Sequence, residues 1–342
     1  MDSNQKSTLY TVDLATGQLT EIGDFANNNI ISLLTIPKAK AADGAPAAID
    51  QMHFDFVDGS LSGHIQFTAP SKNFAGGNLT DSKLTYTILN DKEEIAKGGT
   101  KPGAAVSQPV TLNKGYNTIT IIVSNGEGPS PKFASRYYAG FDTPKPVVNA
   151  HTSVDTNTGK ATVTWEAPAG GQNEGYVGEL TYDIKRYPEG KVIKTGHVGT
   201  MFEDTLPEGE TAVYGYGITP NNHGTMGEEM VSNYVSYGAS ITPPFANGFE
   251  SEADLAYFKV IDADNDGITW GIEEPGMFND NDGFARILRG EEKHSFNDWL
   301  VSPALHVKAN HKYKISFRLS GRYKYYEEQF EVKYGTAPTQ RQ

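Results

Sequence analysis

The chain has 342 residues, which is long enough for two or three domains of about 100–200 residues each. Its formal net charge of −13 argues against nucleic acid as a partner, because the phosphates would be repelled. The absence of cysteine from the sequence excludes disulfide bonds, cysteine-ligated zinc and thiol catalysis.

The 36 glycines and 18 prolines favour many short strands joined by turns over long helices. No apolar run in the sequence approaches the roughly 18 residues that a membrane-spanning helix needs. No signal peptide is visible either, because residues 1–6 lead directly into a strand-like segment rather than an apolar core.

The first predicted element is a hairpin over residues 8–22. Apolar residues alternate along two strand-like runs, which a turn containing Thr16-Gly17 separates. The pattern resembles one hairpin of a β-propeller blade. Since a single blade cannot bury its own faces, we predict the remnant of an upstream propeller over residues 1–38. Residues 39–48, rich in alanine, are predicted to form a linker.

Two similar units follow and form an internal repeat. Residues 65–70 line up with residues 163–168, which places Phe67 and Trp165 at equivalent positions before a proline. A repeat of about 100 residues with a buried aromatic and a late Asn-containing turn resembles the fibronectin type III sandwich. The resemblance implies tandem β-sandwiches over residues 49–143 and 144–241, with the two aromatics in their cores.

Prolines mark the boundaries between the predicted domains. Pro144 and Pro146 lie between the two sandwiches, and Pro243-Pro244 lie after the second sandwich. Because proline restricts the backbone, these joints are predicted to be stiff, as expected for domains that form a stalk.

An aspartate-rich turn is the sharpest motif in the chain. Residues 262–267 read Asp-Ala-Asp-Asn-Asp-Gly, and Glu273 stands at the twelfth position, as in an EF-hand calcium loop. The sequence Glu274-Pro275-Gly276 cannot form the second helix of an EF-hand, so that fold is excluded. Two interpretations stay open: a turn that binds calcium through its carboxylates, and a solvated loop with hydrogen bonds of its own.

The C-terminal hundred residues carry three motifs in order. Phe249-Glu250 comes first, the aspartate-rich turn followed by Trp270 comes second, and residues 297–303, Asn-Asp-Trp-Leu-Val-Ser-Pro, come third. Together they resemble the cleaved-adhesin (choice-of-anchor J) module, a β jelly roll of Bacteroidota surface proteins and gingipain-type haemagglutinins. The resemblance implies a jelly roll over residues 242–342. Further strands follow the matching segment in that family, so we expect the module to be incomplete at its C-terminus.

Calcium is a cofactor that this resemblance implies, because members of the family bind it at the edge of the jelly roll. A carboxylate on a strand edge is held in place by the sheet. Glu250, which lies outside the aspartate-rich turn, is therefore also a candidate ligand. The predicted calcium ligands are Glu250, Asp262, Asp264, Asp266 and Glu273.

A cluster of aromatic and basic residues close to the C-terminus is the candidate for ligand binding. Rings beside a cation are suited to stacking on a sugar or to contacting a protein partner. The alternative is an ordinary tyrosine-rich sandwich surface without a ligand. The residues are Arg322, Tyr323, Tyr325 and Tyr326.

No G-x-S-x-G, HExxH, Walker or Rossmann pattern occurs, and the eight histidines lack metal-ligand spacing. The sequence therefore predicts a non-catalytic adhesion protein, secreted or on the cell surface, that recognises a host or matrix protein or a glycan. Its signal peptide is expected upstream of this chain. Two alternatives stay open: the accessory region of a secreted peptidase or glycosidase, and a structural stalk without a ligand.

Overall fold

The described part of the chain is almost entirely antiparallel β-structure, which confirms the predicted all-β fold. No helix within it is long and apolar enough to cross a membrane. The computed structural model describes residues 7–12, 19–25, 41–80, 82–273, 284–287, 297–319 and 330–336.

The N-terminal region contributes one antiparallel strand pair. Strand β1 (Ser7–Val12) pairs with β2 (Leu19–Phe25), with an irregularity in the register between Leu9 and Tyr10. The two strand-like runs of the sequence therefore pair with each other, while their place in a propeller stays a prediction.

The first sandwich is built from two antiparallel sheets. One sheet has the order β3, β4, β7, and the other has the order β10, β8, β5, β6, with β9 paired to β8. The strands are β3 (Met52–Phe56), β4 (Ser62–Thr68), β5 (Leu84–Asn90), β6 (Glu93–Thr100), β7 (Ala105–Thr111), β8 (Gly115–Asn125), β9 (Gly128–Pro129) and β10 (Phe133–Ala139).

The core of the first sandwich follows from alternation along its strands. In β5, Leu84, Tyr86 and Ile88 are buried on one face, while the residues between them are more exposed. Phe67 of β4 is buried and meets the Tyr86 ring edge-on, with centroids 5.4 Å apart. The predicted aromatic therefore lies between the two sheets.

The second sandwich repeats this arrangement. Its sheets have the orders β11, β12, β15 and β14, β13, β16, β17, and β18 and β19 also pair with β16. The strands are β11 (Val148–Asp155), β12 (Lys160–Glu166), β13 (Thr181–Tyr187), β14 (Lys191–His197), β15 (Met201–Thr205), β16 (Ala212–Asn222), β17 (Thr225–Met226), β18 (Met230–Val231) and β19 (Val235–Tyr237).

The two sandwiches share one strand order, which confirms the predicted tandem of fibronectin type III-like sandwiches. In each, the first, second and fifth strands form one sheet, and the third, fourth and sixth belong to the other. Trp165 of β12 is buried in the second core and meets Tyr182 edge-on, with ring centroids 5.1 Å apart. Tyr216, fully buried beside them, donates its hydroxyl to Asp204 at 2.9 Å.

The C-terminal region begins with a short helix, α1 (Glu252–Leu255), whose N-cap is Ser251. Strand β20 (Lys259–Asp262) pairs with β23 (Asp298–Val301), and β21 (Trp270–Glu273) pairs with β22 (Phe284–Ile287). A parallel bridge between Ile241 and Leu305 ties the segment after the second sandwich to this region. The jelly roll over residues 242–342 stays a prediction.

Candidate functional site

Strand register brings together carboxylates that lie far apart in the sequence. Asp262, the last residue of β20, pairs directly with Asp298, the first residue of β23. Asp264 follows in the turn. Oxygen atoms of these three carboxylates lie within 4.8 Å of one another, and we call the three residues the carboxylate cluster. Asp262 and Asp298 are half-buried, whereas Asp264 is exposed.

The aspartate-rich turn is held in place by its own hydrogen bonds. Asp262 Oδ2 accepts a bond from the backbone N–H of Gly267 at 3.0 Å, and Asp266 Oδ1 accepts one from Ile268 at 2.8 Å. Asn265 and Gly267 have φ values of 56° and 79°, in the region that asparagine and glycine tolerate best. The turn therefore folds back on Asp262 and keeps Asp264 beside it.

Three oxygen atoms of the cluster are buried without a hydrogen bond within the described part of the chain. They are both carboxylate oxygens of Asp298 and Oδ1 of Asp262. A buried carboxylate needs a donor or a cation to offset the loss of hydration. These atoms are consequently suited to a positively charged ligand, and hard carboxylate oxygens suit calcium or magnesium.

The electrostatics of the cluster also favour a positively charged ligand. Burial raises the pKa of Asp298, and the charges of Asp264, Asp262 and Asp266 raise it further, which together outweigh the lowering effect of the neighbouring Thr269 side chain. Burial also acts to raise the pKa of Asp262, but the hydrogen bond from Gly267 and other bonds in the turn outweigh it and lower that pKa. Asp298 is therefore the carboxyl that takes up a proton first when no cation is bound.

The metal-free protein is expected to lose the stabilising contribution of the protonated Asp298 carboxyl as the pH rises through the raised pKa of this group. Because the pKa of Asp298 is raised above its ordinary value of 3.8, the folded chain holds this proton more tightly than the unfolded chain. That contribution is complete below the ordinary pKa and is lost as the pH rises through the raised one. Urea unfolding in EDTA measures the dependence, and Asp298→Asn should lack it. Parallel profiles for the two chains would contradict the raised pKa.

The other predicted metal ligands have different surroundings. Asp266 lies in the turn, next to the cluster. Glu273, buried in β21, forms a salt bridge with Arg286 of β22 and is not part of the cluster. Glu250 lies before α1, where its backbone N–H donates to Asp254 Oδ2 at 2.9 Å. The structure thus brings together two of the predicted residues and places the other three outside the cluster.

Asp298 is the site residue that sequence reasoning missed. Its motif, residues 297–303, reads most simply as a structural strand, and the register of β20 and β23 is needed to bring it to the turn. The predicted ligand-binding residues lie outside the described part of the chain. They are Arg322, Tyr323, Tyr325 and Tyr326.

No protein-family model matches the chain, and no curated protein matches it. Among solved structures, the FN1–FN3 domains of chicken CNTN1 align with 76% of this chain and 90% of their own, at 10% identity and a TM-score of 0.27. A two-domain fibronectin type III segment from chicken tenascin covers 55% of this chain and 97% of its own, at 16% identity and a TM-score of 0.25. The fold assignment rests on strand order and register rather than on these low TM-scores.

Proposed function

We propose that this chain belongs to a secreted or cell-surface binding protein without catalytic activity. The two sandwiches act as spacers, and they carry a C-terminal β-module that calcium stabilises and that binds a protein or a glycan. The observation that carries the proposal is the carboxylate cluster, in which the buried oxygens of Asp298 lie beside Asp262 and Asp264 and form no hydrogen bond in the described structure.

The donor set of the cluster fits calcium better than a transition metal. All three residues offer carboxylate oxygens, and neither histidine nor cysteine takes part. Calcium accepts a flexible number of oxygen ligands, whereas magnesium demands nearly octahedral geometry. Asp262 and Asp264, at the start of the turn, and Asp298, at the start of β23, are the residues that would hold the ion.

A cation at this position would have a structural role. It would neutralise the repulsion among the three carboxylates and cross-link the aspartate-rich turn to β23. The loops that extend from this strand pair would then be fixed for recognition of a partner. We assign that recognition to the aromatic and basic residues of the C-terminal region, Arg322, Tyr323, Tyr325 and Tyr326.

Calcium is expected to bind the metal-stripped chain and to raise its stability. At a free calcium concentration of about 100 times the Kd, the gain amounts to about 2.7 kcal/mol. Calorimetric titration and urea unfolding of the full chain measure the two effects. Asp298→Asn, which removes one of the three carboxylates, should lose most of both.

The matched control is Asp58→Asn, the same chemical change at an exposed turn of the first sandwich. This variant should bind calcium and gain stability as the unmodified chain does. A parallel titration with magnesium tests the choice of ion. Equal responses of the Asp298→Asn chain and the unmodified chain would refute the site.

Partner binding needs a separate measurement. The chain is applied to arrays of glycans and matrix proteins, once with calcium and once with EDTA. Saturable binding that weakens in EDTA supports a calcium-dependent binding module. No saturable binding in either buffer would overturn the binding role and favour the structural stalk.

A further inference from the structure

The segment that connects the two sandwiches is largely shielded from solvent. Asp142 is 0% exposed, and Pro144 is also buried. The backbone of Phe141 forms a parallel bridge with Tyr176, and Pro144 forms an antiparallel bridge with Gly171. A flexible linker would instead be solvated along its length. This connection is therefore packed into the second sandwich.

Asp142 is the centre of the connection. Its carboxylate accepts hydrogen bonds from four donors, at distances between 2.7 and 3.2 Å. The donors are the backbone N–H groups of Thr143, Asn173 and Gly175, and the side-chain amide of Asn173. Three of these four donors belong to the loop before β13, so the carboxylate fastens the connecting segment to the second sandwich.

Asn222, at the end of β16, fastens the same segment from another direction. Its side chain is fully buried, and its Nδ2 donates to the carbonyl oxygens of Asp142 at 2.8 Å and Tyr176 at 2.9 Å. Its Oδ1 accepts a bond from the Gly178 N–H at 3.1 Å. The amide thus uses both ends to bind the connecting segment and the neighbouring loop.

The Phe141 ring contacts both sandwiches. It stacks on His223 of the second sandwich, with centroids 4.3 Å apart and planes 16° from parallel. It also packs against Gly59 of the first sandwich so closely that an added Cβ would lie 2.5 Å from the ring. Lys114 of the first sandwich donates to the Thr225 hydroxyl of the second. These contacts join the two domains directly.

We infer that these contacts hold the two sandwiches in one fixed orientation. We call Phe141, Asp142, Tyr176, Asn222 and His223 the joint. Relative motion of neighbouring domains is the default when few contacts cross between them. Here a rotation would separate the Phe141 ring, which the bonds of Asp142 and Asn222 hold against the second sandwich, from Gly59 of the first sandwich. It would also break the bond from Lys114 to Thr225. The two sandwiches therefore behave as one rigid unit rather than as two domains joined by a flexible linker.

The absence of native cysteine makes the rigidity measurable. Spin labels are attached in the full chain at Ala134→Cys in β10 and Ser153→Cys in β11, both exposed positions in strands. Pulsed electron spin resonance then gives the distribution of distances between the sandwiches. We expect one narrow distribution, and we expect Asp142→Asn to widen it about twofold or more, as released domains should.

The matched control is Asp155→Asn, because the Asp155 side chain also accepts a backbone hydrogen bond but lies at the end of β11, outside the joint. This chain should keep the narrow distribution. If Asp142→Asn prevents folding, Phe141→Ala replaces it, since that ring belongs to neither sandwich core. A broad distribution in the parent chain, or a narrow one in the joint variant, would overturn the inference. The joint contains no residue of the carboxylate cluster, so rigidity and calcium binding are tested independently.

Discussion

Replacement of Trp165 by alanine is expected to destabilise the second sandwich by about 3–5 kcal/mol. The side chain is 4% exposed and fills the space between the two sheets, where its ring meets Tyr182 edge-on. The substitution removes a large apolar surface and leaves a cavity that the rigid sheets can close only in part. Urea unfolding, followed by far-ultraviolet circular dichroism, measures the loss.

The repeat supplies a matched comparison in the other sandwich. Phe67→Ala removes the equivalent ring and should destabilise the first sandwich by a similar amount, again about 3–5 kcal/mol. Thr164→Ala, next to Trp165 but on the exposed face of β12, should change the stability by less than about 0.5 kcal/mol. A loss below about 1 kcal/mol for Trp165→Ala would mean that the second core is not built around this ring.

The sandwiches were predictable because their signals are local and repeated. Alternating apolar residues define each strand, and the aromatic positions Phe67 and Trp165 recur with the same neighbours. The order of strands within each sheet is not encoded locally. β4 pairs with β7 across the whole of β5 and β6, and such pairing follows from how the two apolar faces pack, which no single segment specifies.

The carboxylate cluster could also be predicted only in part, because one of its three residues comes from a distant segment of the chain. Asp262 and Asp264 belong to one turn, whose pattern in the sequence already indicates oxygen ligands. Asp298 comes to the turn only through the register of β20 and β23. Glu273 fits the spacing of a calcium loop, yet the adjacent strand offers it Arg286, and the two charges pair with each other. Spacing alone cannot distinguish these outcomes.

The sequence predicts a stiff connection between the sandwiches, and we infer the same property from a different cause in the structure. The prolines at 144 and 146 were expected to restrict the backbone. In the structure, Asp142 and Asn222 bind the connection through seven hydrogen bonds formed by their side chains. Neither residue carries a recognisable motif, because each acts through backbone groups of a loop that only the folded sandwich places nearby.

Asn222→Ala is expected to lower the free energy of unfolding of the second sandwich by about 2 kcal/mol or more. The substitution leaves the carbonyl of Asp142 and the N–H of Gly178 without the amide that now binds them. The carbonyl of Tyr176 loses one of two bonds and keeps the one from the Asp142 N–H at 2.9 Å. Each buried polar group that loses its partner costs about 1–3 kcal/mol. Urea unfolding of the full chain measures the loss.

The neighbouring residue provides the control for this substitution. The side chain of Asn221, next to last in β16, accepts a solvent-exposed hydrogen bond from the Gly224 N–H at 2.7 Å. Asn221→Ala should therefore cost about 1 kcal/mol or less, because water can replace that bond. Equal losses for the two variants would show that water reaches the Asn222 site. The joint would then lack the buried hydrogen bonds on which its rigidity depends.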